Sequence, residues 1–529
     1  MPADLKGNGP HPSLFVYYLI ITAMVCGSMV MVVEVLGSRM IGPFFGVSLF
    51  VWTSLISVTL VALAGGYAAG GIVSDKKGTP EYLYALILAA GILVILIPVM
   101  KGAVLNACLP LGLRSGSLVS STLLFGPSLF LLGCVSPYII KIAAKEMKNI
   151  GRTVGLFYAV STLGSFLGTI LTGFILIAYL GVNMIFEVVG SILICLSVVY
   201  FLFFREKWYA AVFLIMPLVL PDTGYPNLTY MPDGTKVARV LSKDSFYGNL
   251  KVIDYSYGNN HTRELLIDGL IQGGIDVNNG MSVYEYSYFM EFLPYSLNPY
   301  GKTCLTIGLG VGAVPVWYEK MGIMTDVVDI DPNVVDIARD YFGFNITGDV
   351  IVSDARYYLI KSKKKYDYII LDVFTGDTTP GHLLSVEALQ LINSRLTEKG
   401  ILAINLAGSL KKETFMTASV IKTLEQVFDT VEIYPTFPPE QGEGWGSLAV
   451  IAYDRPAIPL NPDSIRNFPV HHLANDLVSR LMGQKFLFPL DTPAIILSDN
   501  YNPIDFYDSW LKERIRKNIL ENTDLAILL

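Results

Sequence analysis

A glycine-rich turn between two apolar runs constrains this 529-residue chain more than any other feature. Cys304, Leu305 and Ile307 lead into Gly308-Leu309-Gly310-Val311-Gly312. A helix-like segment follows, then a second apolar run ending in Asp329-Ile330-Asp331. Strand, glycine turn, helix, strand and acid form the nucleotide-binding half of a doubly wound sheet. Gly308, Gly310 and Gly312 let the backbone approach a ligand closely, and an acid ending the second strand can accept hydrogen bonds from both ribose hydroxyls. The P-loop pattern GxxxxGK[ST] is absent, which argues against a phosphate cradle of that kind. The spacing predicts a third strand over Asp349–Asp354, followed by Ala355, and a fourth over Tyr366–Asp372. Ligands of such sheets sit at the carboxyl ends of the strands. Asp329, Asp354 and Asp372 therefore share one edge, with Asp331 and Ala355 beside them. That edge suits a cationic nucleoside such as a sulfonium better than a dinucleotide pyrophosphate.

The apolar residues are unevenly spread. The hydrophobic fraction is 52% and the charged fraction 16%, with the excess almost wholly before residue 221. A bilayer-spanning helix needs roughly twenty apolar residues. Six runs reach that length, at about 14–38, 48–73, 82–100, 117–140, 154–180 and 182–204. A seventh, Trp208 to Leu220, is short, holds Pro217 and reads as interfacial or re-entrant. Lys76, Lys77, Lys141, Lys145, Lys148, Arg152, Arg205 and Lys207 fall on one set of loops, against Arg39, Lys101 and Arg114 on the other. The basic-residue rule then predicts a multi-pass protein of the cell (inner) membrane, contacting lipid, with its soluble half cytoplasmic. Gly66-x-x-x-Gly70 and Gly164-x-x-x-Gly168 predict close helix packing. Glu34 and Glu187 are intramembrane acids and so candidates for function.

A net charge of −7 without a basic stripe argues against nucleic acid as a partner. Five scattered cysteines show no metal-ligand spacing and read as small apolar residues. The histidines form no metal constellation, and His471-His472 reads as a solvated pair in a loop. Strand-like runs at Val237–Leu241, Gly248–Tyr255 and Arg263–Ile267 predict a small antiparallel sheet, the last two joined through a Tyr257-Gly258-Asn259-Asn260 turn. The expected order is an α-helical transmembrane bundle (1–220), a linker and β-hairpin domain (221–280), and an α/β doubly wound, Rossmann-like domain (281–529).

Several separate blocks carry a resemblance to the spermidine synthase (polyamine aminopropyltransferase) family, in its membrane-fused branch. They are Ser245-Phe246-Tyr247, Leu266-Ile267-Asp268-Gly269-Leu270-Ile271-Gln272, the glycine turn, Asp329-Ile330-Asp331, Asp354-Ala355 and Pro435-Thr436-Phe437-Pro438, spread over about 240–455. The resemblance implies a methyltransferase-like fold and S-adenosylmethionine or its decarboxylated form as substrate, with no metal. It implies nucleoside contacts from Gly308, Gly310, Gly312, Asp329, Asp331, Asp354, Ala355 and Gln272. Substrate contacts fall on Tyr247, Asp268, Tyr286 and Tyr288. Asp372 stands where the family keeps the aspartate that deprotonates the attacking amine, with Asp377 close behind. The chain departs from the pattern at Val311, where the family has an acid that holds the propylamine nitrogen. It departs also at Gly248, at Tyr286-Ser287-Tyr288 and at Thr375.

The leading expectation is transfer of the propylamine group to an amine acceptor, with release of methylthioadenosine. Val311 motivates an alternative, lyase or cyclising cleavage of intact S-adenosylmethionine. A methyltransferase-like protein, a nucleoside sensor and a transporter are further readings. The sequence leaves the acceptor and a homo-oligomeric state open.

Overall fold

The computed structural model describes residues 12–46, 49–146, 150–219, 227–231, 233–374, 378–440, 442–461, 463 and 465–522. The chain divides after Tyr225 into two compact units.

The first unit is helical. Its main helices are Pro12–Phe45, Leu49–Lys76, Pro80–Cys108, the nearly continuous pair Gly112–Leu124 and Gly126–Glu146, Ile150–Leu171 and Val182–Arg205. Among the described residues, six helices are long and apolar enough to cross a membrane. Glycines set their spacing. A Cβ on Gly66 would lie 2.3 Å from the Phe130 carbonyl oxygen, and one on Gly164 would lie 2.1 Å from that of Met24. Backbones meet there with no room for a side chain, so the helices touch at van der Waals distance. At one end of the bundle Lys141 pairs with Asp75 at 2.6 Å, and Arg205 pairs with Glu81. The seventh apolar run forms a 3₁₀ segment, Trp208–Ile215, that buries Ala210 against Ile95, Ile194 and Val198. Glu206, at φ 54°, makes the left-handed turn that folds this segment back on the last long helix.

The second unit holds two sheets. The smaller is an antiparallel meander of β1 (Leu228–Tyr230), β2 (Lys236–Asp244), β3 (Asn249–Tyr257), β4 (Asn260–Ile267) and β5 (Leu270–Asp276). Three of these match the sequence reading; β1 and β5 do not appear in it. β1 lies in what reads as a linker, and β5 carries Gly273-Gly274, residues that weaken a strand. The glycines have a spatial cause. A Cβ on Gly273 would come 2.9 Å from Val311 Cγ2, and one on Gly274 would come 3.0 Å from Glu264 Cγ. β5 thus presses directly on the glycine turn of the neighbouring sheet.

That neighbour has β6 (Thr303–Ile307), β7 (Met324–Asp329), β8 (Val350–Val352), β9 (Tyr366–Leu371), β10 (Leu396–Ser409), β11 (Thr430–Pro435) and β12 (Trp445–Tyr453). Their spatial order is β11-β12-β10-β9-β6-β7-β8, with β12 antiparallel to both neighbours. The order of β6 to β9 reverses direction at β6, which creates a crevice at the carboxyl ends of β6 and β9. Side chains alternate across the sheet. Leu305, Ile307, Ile369, Leu371, Leu402 and Ile404 pack into one core. Cys304, Tyr368, Ile370, Ile401 and Ala403 face the other, together with Tyr288, Phe289 and Phe292 of the helix Glu285–Leu297.

His471 is not solvated, contrary to the sequence reading. It is buried, its Nε2 lies 3.3 Å from Asp276, and its backbone N–H donates to the Tyr288 hydroxyl at 3.0 Å. It caps the helix His472–Leu481, whose Ala474, Val478 and Leu481 enter the Tyr288 core. The two partners lie nearly two hundred residues upstream, beyond the reach of a local pattern.

Candidate active site

Parallel register brings the site together. Thr306 is opposite Ile370, and Ile307 opposite Leu371; on the far side Leu371 is opposite Ile404. One step on, Asp372 lies between Gly308 and Asn405. The period of two places Thr306, Asp372 and Asn405 on the face covered by the helix Glu285–Leu297. The turn can only be glycine here. Gly308 has φ 90°, and a Cβ on it would sit 2.0 Å from the Asp372 carbonyl oxygen. The Asp372 N–H donates to the Ile307 carbonyl at 2.9 Å, which fixes the strand end against the turn.

Asp372 is half-buried at the cleft, and the desolvation there pushes its carboxyl up to about 6, against the opposing effect of one hydrogen bond from Asn405. That bond runs from Asn405 Nδ2 to Asp372 Oδ1 at 2.8 Å. The Asn405 Oδ1 and the Thr306 hydroxyl are buried and have no hydrogen-bond partner. Buried polar atoms are rarely left so; Asn405 lines a cleft beside Asp372, and Thr306 lines a recess that Asp372 also borders. A cleft with about 200 Å³ of water-accessible room opens there, between Asp372, Gln272, Tyr286, Gly310 and Asn405 on one side and Phe374, Trp445 and Ile515 on the other. A narrower recess continues from Asp372 toward Val311, Ser287 and Thr306. The Tyr286 hydroxyl is held far above its usual range by burial and by the negative charge of Asp372.

The other acids line the same edge beyond the glycine turn. Asp329 ends β7 and accepts from the N–H of Leu309 and of Asp331, both at 2.9 Å. Burial nevertheless pushes its carboxyl up to about 6. Asp331 caps the helix Pro332–Phe342 by accepting from Asn333 N at 2.9 Å. Its other oxygen is buried without a partner. Asp354 is half exposed and caps the helix Ala355–Lys361 through Tyr357 N at 2.8 Å. Tyr247 stands over this group: burial and then Asp331, Asp329 and Asp354 raise its hydroxyl.

The structure thus gathers Gln272, Tyr286, Gly308, Gly310 and Asp372 around the cleft and recess, and Tyr247, Asp329, Asp331 and Asp354 around the neighbouring edge. Gly312, at φ 80°, opens the helix Ala313–Lys320. Ala355 is the first residue of its helix. Two residues stand apart. Tyr288 is spent inside the core on Ser282 and His471. Asp268, at φ 48°, shapes the β4–β5 turn and accepts from Asn249 N at 2.9 Å. Asp377 lies outside the described residues. Asn405, Trp445 and Ile515 were absent from the sequence reading. Asn405 carried a signal, as a lone amide within the apolar strand Ile401-Leu402-Ala403-Ile404-Asn405-Leu406-Ala407. Ile515 carried none; it arrives on the helix Ser509–Asn522, docked by Arg516 Nη1 to the Asp268 carbonyl at 2.8 Å.

The spermine/spermidine synthase domain model matches residues 270–461. A polyamine aminopropyltransferase from Alkaliphilus metalliredigens is 30% identical over 216 residues, covering 38% of this chain and 72% of that protein. The chain belongs to the spermidine synthase family. An apolar helical unit precedes its spermidine synthase domain. An N-terminal histidine N-methyltransferase from Emericella nidulans is 34% identical over 156 residues, 28% of each chain. A polyamine aminopropyltransferase from Vibrio vulnificus is 37% identical over 115 residues, 20% of this chain and 38% of that one. The chain therefore spans well under half the length of these last two relatives.

Proposed function

We propose that this spermidine synthase-family chain is a multi-pass membrane enzyme that binds S-adenosylmethionine or its decarboxylated form. It transfers the propylamine group to an amine and releases methylthioadenosine. The observation that carries the reading is Asp372, a half-buried carboxyl that desolvation pushes up to about 6 at the crevice beside Gly308 and Gly310. A base of that strength, ionised at neutral pH, can take a proton from an incoming ammonium. The neutral nitrogen then attacks the carbon bonded to sulfur. The new C–N bond forms as the S–C bond breaks, and the electron pair leaves on sulfur as a neutral thioether. The proton that Asp372 took then passes to solvent, and the alkylated nitrogen leaves as a secondary ammonium. Asp329 and Asp331 bind the ribose side and Asp354 the adenine side, a division supported by their places along the edge. Gln272, Tyr247 and Tyr286 are the other substrate-side residues of this reading, with Asp377 as the second acid after β9, while Tyr288 and Asp268 serve the core and the β4–β5 turn.

Six helices of spanning length support membrane insertion. The meeting of Lys141 with Asp75 and of Arg205 with Glu81 at one end supports a cytoplasmic face there, shared by the soluble unit. We infer the division as 1–220 in the membrane, 221–280 as linker and small sheet, and 281–529 as the catalytic domain. A second reading, methyl transfer from intact S-adenosylmethionine, draws on Val311, which leaves the recess without an acid for a propylamine nitrogen.

The test incubates the full chain, in detergent or lipid discs, with each donor and an amine mixture, and identifies products by mass. Methylthioadenosine with an aminopropylated amine is expected. S-adenosylhomocysteine with a methylated amine moves the chain to the second reading. Methylthioadenosine without any alkylated amine overturns both.

A further inference from the structure

One hydroxyl in the recess beyond Asp372 is not used by the fold. Thr306 is 1% exposed, and its Oγ1 has no hydrogen-bond partner. A buried hydroxyl left unpaired is costly, so the occupant of the recess has to supply the missing partner. The recess has room of about 10 Å³, enough for one water-sized group. Leu309, Val311 and Val314 give it apolar wall, while Thr306, Ser287 and Asp372 bring oxygens to it. Ser287 is buried too, and its Oγ accepts from Ser282 at 2.9 Å, which leaves a second lone pair for another donor. Asp372, Gln272 and Tyr286 border both the recess and the wider cleft. The carboxylate thus stands between two spaces. Asn405 engages its Oδ1, and its other oxygen can face a cation.

Resting on the transfer reading above, we propose that the Thr306 hydroxyl holds the donor's propylamine nitrogen in this recess, taking over from the acid absent at Val311, and so selects decarboxylated over intact S-adenosylmethionine. An ammonium presents three N–H donors. Thr306, Ser287 and Asp372 each bring an acceptor to the recess. Asp372 supplies the negative charge that a desolvated ammonium needs, and the two hydroxyls take its other hydrogens. Further acids at the cleft would add to this grip and do not replace it. A carboxylate on the carbon beside that nitrogen meets two obstacles. It needs more room than one water-sized group, and it meets Asp372 as a like charge. Val311 fits the same picture. A Cβ on Gly273 would lie 2.9 Å from Val311 Cγ2, so the valine packs against β5 and leaves the recess to the hydroxyls.

Calorimetry on the full chain tests this with three ligands: decarboxylated S-adenosylmethionine, the intact form and methylthioadenosine. The parent is compared with Thr306→Val and Thr306→Ser. Methylthioadenosine lacks the propylamine arm, so it reports the fold and the nucleoside grip alone. Thr306→Val should weaken the decarboxylated donor about tenfold or more, the loss of one hydrogen bond to a charged group, and leave methylthioadenosine unchanged. Thr306→Ser keeps the hydroxyl and should recover most of that loss. The parent should bind the decarboxylated donor at least about tenfold more tightly than the intact one, and the gap should narrow in Thr306→Val. Equal loss for the decarboxylated donor and methylthioadenosine, or no loss for either, would mean a hydroxyl that only packs the strand or holds a water, and overturns the proposal. A parent that binds both donors alike overturns it as well. Product analysis keeps the two readings apart. If the expected binding pattern comes without any aminopropylated amine, the transfer reading falls and the seat of the propylamine nitrogen stands.

Discussion

Asn405 makes the sharpest test of how the site sets its own pH range. Its Nδ2 donates to Asp372 Oδ1 at 2.8 Å, and this hydrogen bond opposes the burial that raises Asp372 to about 6. Asn405→Leu keeps the volume and deletes the donor. A hydrogen bond to a charged group contributes about 1.5–3 kcal/mol. One pKa unit corresponds to about 1.36 kcal/mol, so the loss raises Asp372 by roughly one to two units, to about 7–8. A base must be ionised to act, so turnover falls as pH drops through its pKa. The acidic limb of kcat should therefore move from about 6 in the parent to about 7–8 in the variant. At pH 9 both are fully ionised, and the stronger base should restore most of the lost turnover. The assay is methylthioadenosine release at saturating donor and amine, from pH 5 to pH 9. A variant that loses turnover equally at every pH, with the limb unmoved, would show that Asn405 only packs the strand. An unmoved limb in Asp372→Asn as well would assign the titration to another group.

Asp372→Asn keeps the size of the side chain and removes the base, so turnover should fall about 10²–10⁴-fold with little change in nucleoside affinity. Near-parental turnover would instead direct attention to Asp377. Asp329→Ala removes the carboxyl that accepts from Leu309 and Asp331, and methylthioadenosine binding measured by calorimetry should weaken by about 1.5–3 kcal/mol. Single cysteines placed beside Lys141 and in the soluble unit should be protected together from an impermeant reagent in intact cells; protection of one alone refutes the shared side.

The parts of this architecture that were legible in the sequence are those with a local cause. The glycine turn needs positive φ at Gly308, Gly310 and Gly312, and no other residue provides it as readily. Asp329 and Asp372 follow from strand ends, each a short apolar run closed by an acid, whereas the strand expected to reach Asp354 stops at Val352 and Asp354 instead caps the next helix. The six long helices follow from length alone. What escaped has a distant cause. β5 hides because its glycines answer to Val311 and Glu264, which lie in other elements. His471 reads as a surface pair until β5 and the helix Glu285–Leu297 close around it. Ile515 gives no local sign at all, since its place in the cleft depends on Arg516 finding a backbone carbonyl on the far side of the chain.

Four carboxylates at one sheet edge repel one another, and the structure shows how each is held. Asp329 takes two backbone amides, Asp331 and Asp354 take one each at helix starts, and Asp372 takes the Asn405 amide. Helix starts favour negative charge, which leaves Asp331 and Asp354 well supported. Asp329 and Asp372 are less so, and burial holds both near 6. A sulfonium donor brings the missing positive charge, whereas methylthioadenosine is neutral. The donor should therefore bind more tightly as pH rises through about 6, where both carboxyls ionise, and the product should respond much less. Loss of charge on sulfur would then weaken the grip on the nucleoside at the moment transfer is complete, which favours release. Calorimetry with S-adenosylmethionine, its decarboxylated form and methylthioadenosine at pH 5.5 and 7.5 tests this. The donor-to-product affinity ratio should rise severalfold between the two for at least one donor. A ratio that stays constant for both donors would mean that the edge recognises only the nucleoside, and that its charge plays no part in the exchange of substrate for product.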